Sequence, residues 1–137
     1  MTKTELLEAL WAAREANEPA KLVGQDLSGL DLAGLDLSGA NLSWAKLSGA
    51  NLSGANLNHA NLSWVTLTGA ILSGATFVEA DLSATHAHEA NFSRADLAHA
   101  GMAGAILTGA NFSQANLRQA DLGGANLEGA DLRQADL

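Results

Sequence analysis

The chain has no cysteine among its 137 residues, so disulfides and thiolate metal sites are excluded. Its only proline is Pro19, and none interrupts the chain beyond it. Basic residues are scarce, seven against fifteen acidic, and the net charge is −8. That balance disfavours nucleic acid and anionic membrane surfaces, where lysine and arginine supply the attraction. No stretch approaches the roughly 20 apolar residues of a membrane span. The N-terminal MTKTELLEALWAARE interleaves Lys3, Glu5, Glu8 and Arg14 with its apolar residues, unlike a signal-peptide core. These absences leave an acidic, soluble single domain, expected in the cytoplasm and without a membrane partner.

What is abundant is repetition. Residues 48–57 read SGANLSGANL, one five-residue word written twice. Of the 23 positions at five-residue intervals from Leu27 to Leu137, 18 are Leu, and the others are Phe77, Phe92, Phe112, Met102 and Ala87. From Ala40 to Ala135 the place two before is Ala in 18 of 20 repeats, the place between is mostly Asn or Asp, and two places after is frequently Gly. No insertion breaks the frame.

A period of five fits neither regular element. In an α-helix successive leucines would fall ~140° apart and spiral onto every side. In a straight strand each new Leu would flip to the opposite face. The pattern works if Ala and Leu point inward, Asn, Asp and Ser point outward, and a corner after each repeat resets the phase. Gly suits a corner that needs positive φ, and Asn, Asp and Ser suit its flanks because they bond nearby backbone groups. Turning the same way each time yields a coil stacked on itself, with backbone hydrogen bonds between coils and leucines inside. Leu42, Leu47, Leu52, Leu57, Leu62, Phe77, Phe92 and Phe112 are the expected core ladder.

Words such as ANLSG, ANLNH, ADLGG and ANLEG, from about Asp26 to Leu137, resemble the A-(D/N)-L-x-x consensus of the pentapeptide-repeat family. The resemblance implies an all-β solenoid, a right-handed quadrilateral β-helix with about 20 residues per coil. Five to six coils would make a rod ~28 Å long, at ~4.8 Å per coil. Residues 25–137 form this rod in the expected organisation, with residues 1–24 as helical cap and lead-in. Thr2 and Glu5 have capping-box spacing, Leu6, Leu7, Leu10 and Trp11 follow one helical stripe, and Pro19 marks a stop. A helix over 3–16 is expected to close the first coil, as solenoids require, and Leu30 and Leu35 replace the usual Ala beneath it. The chain ends in mid-pattern at QADL, so an uncapped last coil, and a homodimer formed through it, are expectations as well.

With 20 residues per coil, residues 20 apart stack. Trp44 and Trp64 then share an outward column, with Lys46 beside them. Two readings compete: a partner-contact surface, or rings that pack on each other merely to cover a corner. His59, Glu79 and His99 share another column, and THAHE adds His86, His88 and Glu89. Without a concave cage over two coil spacings, no metal site is expected. THAHE also replaces the inward Ala and Leu by Thr85 and Ala87, which predicts a local pinch or small cavity between Leu67 and Leu107.

No Ser/His/Asp constellation or phosphate loop is present, so no catalytic residue and no cofactor are assigned. The resemblance offers a second class, DNA-mimicking proteins that bind type II topoisomerases such as gyrase and protect them from inhibitors. Charge weighs against it. Copying B-DNA over ~28 Å requires ~16 negative charges. The chain from Asp26 carries 11 acids and 4 bases, and residues 37–78 contain no acid at all. The expected function is therefore a structural or protein-interaction scaffold whose protein partner is unknown.

Overall fold

A computed structural model describes all 137 residues. One helix, α1 (Lys3–Glu15), precedes a run of identical corners that continues to the end of the chain. Twenty parallel bridges tie the chain together, from Lys21↔Asn41 to Asn116↔Asp136, and every one joins residues 20 apart. Four five-residue words thus make one coil of a β-helix. Each wall carries a single bridged residue rather than an extended strand, because a corner intervenes before a second ladder pair can form.

Backbone accounting explains why the five-residue word is sufficient. In the word containing Leu42, Asn41 N–H donates to Ala20 O in the coil below at 2.8 Å, and Leu42 N–H to Asn61 O in the coil above at 2.8 Å. Ala45 N–H closes the corner on Leu42 O at 2.9 Å, and Trp44 N–H reaches Ser63 O at 3.0 Å. The remaining donor, Ser43 N–H, is taken by the Asn41 side-chain Oδ1 at 3.1 Å. Asn or Asp at this place therefore satisfies an amide that no neighbouring coil reaches. The last corner residue has φ between +53° and +70° in every coil, the left-handed value that a type II turn demands at its third position. Gly meets that demand at twelve corners and eleven non-glycine residues meet it at strain, Trp44 and Trp64 among them.

The inward residues form one core. Leu42, Leu47, Leu52, Leu57, Leu62, Phe77, Phe92 and Phe112 are all buried, with the alanines between them. Phe92 stacks on Phe112, one coil above, at 4.9 Å between centroids and 6° between planes, and meets Phe77 at 5.8 Å and 58°.

α1 begins on half of a capping box, with Thr2 Oγ1 accepting from Glu5 N at 3.2 Å. It ends in a Schellman motif: Asn17 takes φ 53°, its N–H reaches Arg14 O at 3.0 Å, and Glu18 N–H reaches Ala13 O at 2.9 Å. Pro19 comes next, so the helix stops at Glu15, one residue short of the expected end. The stripe that meets the first coil is narrower than the spacing suggests. Leu6 is fully buried and Leu10, like Met1, Ala9 and Ala13, is partly buried against the core, whereas Leu7 is 42 % and Trp11 67 % exposed. Trp11 lies ~140° around the helix from Leu6, too far to reach the same surface.

At Ala87 the expected pinch is absent from the backbone. Ala87 N–H donates to Ile106 O at 2.8 Å and Leu67 N–H to His86 O at 2.7 Å, lengths shared by neighbouring columns. The Thr85 hydroxyl points inward and donates to Leu62 O at 3.1 Å, so it is satisfied. Ala87 itself is fully buried in a coil whose large inward residues are Leu82, Phe92 and Leu97. Close-packed interiors do not leave room for a whole leucine, and Phe92 is the one member of that coil larger than Leu. Ala87→Leu is therefore expected to destabilise by about 1–3 kcal/mol through overpacking, and Phe92→Leu in the same chain to relieve part of that loss. Urea unfolding of both single variants and the double variant measures the coupling. Additive effects would place the compensating volume elsewhere.

Candidate functional site

Trp44 and Trp64 occupy the last corner place of consecutive coils, in the words LSWAK and LSWVT. Their backbone amides are anchored to the coil above. Trp44 N–H bonds to Ser63 O and Trp64 N–H to Ser83 O, each at 3.0 Å. The preceding serines are held by their own asparagines, Ser43 Oγ–H to Asn41 Oδ1 at 2.8 Å and Ser63 Oγ–H to Asn61 Oδ1 at 2.7 Å. The indoles project from these anchored corners with centroids 5.0 Å apart and planes 3° apart, a spacing set by the coil repeat. Stacking does not take them out of water: Trp44 remains 60 % and Trp64 49 % exposed.

The other residues singled out by the sequence are more dispersed. Lys46 lies on the adjoining wall, bridged below to Asp26 and above to Thr66, and its charge acts on Asp26. The Asp26 carboxyl is held below its ordinary range chiefly by hydrogen bonds from Ser28, with Lys46 a smaller contributor. Asp36 is lowered by Ser38 and by Arg14 on α1, and Asp131 to about 2 by the hydrogen bonds of Arg133. Ile71 and Ile106 are exposed singly, on different walls. His59 Nδ1 lies 3.4 Å from Glu79 Oε2, while His99 makes no ion pair with either. His88 bonds Thr108 Oγ1 through Nδ1 at 2.7 Å and approaches Glu89 Oε1 through Nε2 at 3.5 Å. No three histidine, aspartate or glutamate side chains come together in a way that could hold a metal ion.

Two features escaped sequence reasoning. One is the exposed pair Leu7 and Trp11 on the outer side of α1. The other is a ladder along the outward columns, in which an asparagine amide reaches down to the aspartate one coil below. Asn51 Nδ2 bonds Asp31 at 3.1 Å, Asn56 bonds Asp36 at 3.3 Å and Asn116 bonds Asp96 at 2.9 Å. The 20-residue register holds the signal for it, since these pairs are 20 apart in sequence.

The repeat register agrees with a known family model. The pentapeptide repeats family model matches in eight copies, over residues 20–54, 36–74, 45–83, 75–114 and 110–137. Among solved structures the chain is similar to HetL, a pentapeptide repeat protein involved in heterocyst differentiation regulation from the cyanobacterium Nostoc sp. strain PCC 7120. The identity is 38 % over 88 % of this chain, with a TM-score of 0.37. The chain spans 62 % of the length of HetL. It is also similar to a pentapeptide repeat protein from the Arabidopsis thaliana thylakoid lumen, at 31 % identity over 84 % of this chain and 66 % of that one, TM-score 0.40. QnrB1, a plasmid-mediated fluoroquinolone resistance protein, matches at 20 % identity over 84 % of this chain and 71 % of its own, TM-score 0.43. None of the curated proteins is a match. From residue 20 to the end, family model, repeat word and bridge register coincide, and the chain belongs to the pentapeptide repeat family.

Proposed function

We propose that the chain is a non-enzymatic interaction scaffold that binds a protein partner through Trp44 and Trp64. In this reading residues 25–137 are a right-handed, four-sided β-helix of about five to six coils, and residues 1–24 close its first coil. The observation that supports the contact is the half-exposed indole stack: backbone amides bonded to the coil above, rings held face to face at 5.0 Å, and a large apolar face in water. Tryptophan is the residue most enriched where protein contacts carry their energy. The surroundings suit a protein surface better than a charge-driven one, since residues 37–78 contain no acid. That same stretch weighs against a DNA-like potential along the rod.

Trp44→Gly with Trp64→Gly is the discriminating variant. Gly stands at the equivalent place of twelve corners, so relief of left-handed strain, ~1–2 kcal/mol per residue, roughly offsets the lost stack, ~0.5–1.5 kcal/mol, together with the backbone entropy of two added glycines, ~0.5–1 kcal/mol each. The melting temperature is expected to stay close to that of the parent chain. Protein captured from host lysate by the immobilised parent should bind the double variant at least ~30-fold more weakly, the effect of losing one hot spot worth ~2 kcal/mol. Equal capture by a folded double variant would overturn the assignment of the contact to this pair.

A further inference from the structure

The column that carries the stack continues upward as Ala84, Gly104 and Gly124. Beside it, at the first corner place, come Ser83, Ala103 and Gly123. Above the outer face of Trp64 the corner therefore holds no large side chain. On the adjoining wall at the level of Ala84 stands Asp81, bridged below to Asn61 and above to Gly101.

Asp81 breaks the ladder of its kind. Five aspartates have a coil above them. Asp31, Asp36 and Asp96 take an asparagine amide from that coil, and Asp26 faces Lys46. Asp81 alone faces a glycine. Its Oδ1 accepts from the backbone and hydroxyl of Ser83, but its Oδ2 has no hydrogen-bond or ion-pair partner and the side chain is exposed. Nothing in the backbone requires the gap. Gly101 is not in the left-handed region, and a Cβ there would meet Asp81 Oδ1 at 3.9 Å, an ordinary contact.

The lower end of the stack has the opposite character. Below Trp44 lies Gly24, and the adjoining wall there presents Lys21, which is 3.9 Å from Glu18. Only the Trp64 face combines an open aromatic surface with a free carboxylate.

We propose that this notch takes the guanidinium of an arginine side chain carried by the protein partner, stacked on Trp64 and ion-paired with Asp81. The assignment rests on the reading of the tryptophan pair as the partner contact and names the group that meets it. A planar, weakly hydrated guanidinium can lie flat on an indole while its edge N–H groups reach a carboxylate. The ammonium of lysine is compact and strongly hydrated, so it gains less from the same two groups. An anionic group would be repelled by Asp81.

The test uses the full chain with its three tryptophan indoles labelled with nitrogen-15, titrated with the peptide acetyl-Gly-Arg-Gly-amide and with its lysine and citrulline counterparts. The arginine peptide is expected to shift the indole N–H signals of the stack at ~1–10 mM and to leave that of Trp11 in place. Lysine and citrulline should bind at least ~5-fold more weakly. Gly101→Asn restores the amide found over Asp31, Asp36 and Asp96, so it should keep the fold and weaken arginine binding at least ~5-fold, as should Asp81→Asn. Equal binding of arginine and lysine, or undiminished binding by either variant, would overturn the proposal. Partner capture separates the two readings. Loss in Trp44→Gly/Trp64→Gly with retention in Gly101→Asn removes the arginine assignment alone. Retention in the glycine double variant removes the tryptophan contact itself.

Discussion

Phe92→Ala is expected to lower the free energy of unfolding by about 3–5 kcal/mol, the largest single loss available in the rod. Phe92 is fully buried, lies flat on Phe112 and meets Phe77 at an angle, so truncation removes both contacts at once. The hole cannot easily close. Coil spacing around it is set by backbone bonds, Leu72 N–H to Asn91 O and Phe92 N–H to Asn111 O, both 2.7 Å, which would have to break for the coils to move together. A site that cannot relax belongs at the upper end of the cavity range. Phe92→Leu, which restores the common residue, should cost less than ~1.5 kcal/mol. Urea titration followed by circular dichroism measures both. In a solenoid each coil leans only on its neighbours, so a weak middle coil should also uncouple the two ends and lower the apparent m-value of Phe92→Ala. A loss under ~1.5 kcal/mol for the alanine variant would mean that the interior relaxes after all.

Leu6→Lys and Leu7→Lys should differ by several kcal/mol although the residues are neighbours. Leu6 is fully buried where α1 covers the first coil, and beneath it Leu22, Leu27, Leu32 and Leu37 are buried too. Towards residue 137, Leu122, Leu127 and Leu132 are only partly buried. A lysine at position 6 must either bury an unpaired charge or lift the helix, and both routes cost on the order of 3 kcal/mol or more. Lifting it would also expose the unpaired edge of the first coil, so the variant should self-associate on warming. At position 7 the side chain already stands in water, and the change should stay within ~0.5 kcal/mol. Thermal melts with light scattering decide the matter. A destabilised Leu7→Lys would show that the outer side of α1 is covered in solution.

Much of this was legible in the sequence because a five-residue period leaves few geometric options. Helix and strand both fail it, so the inward Leu and Ala, the outward Asn or Asp and the left-handed corner at Gly come from sterics and hydrogen bonding within one word. The capping residues of α1 were equally local: Thr2 at its start, Pro19 beyond its stop. The helix face was misjudged at Leu7 and Trp11 because 3.6-residue periodicity shows that two residues lie near each other on a helix, not how wide a surface the first coil offers. Of the pinch or small cavity expected at Ala87, the pinch is absent from the backbone for a related reason. A missing side chain changes volume, but coil spacing is set by backbone bonds, and those continue unbroken through His86 and Ala87.

By itself, then, the sequence determined the word, its inward and outward faces, and the family that uses it. Repeat spacing alone could not determine which residues stand above one another, since that depends on how far each corner turns, a sum of small backbone angles over a whole coil; the 20-residue register was expected only from the family resemblance. The offset of 20 in every bridge is therefore a tertiary fact, and the candidate site depends on it. Only stacking brings Trp44 within 5.0 Å of Trp64 and sets the bare Gly101 over the free carboxylate of Asp81.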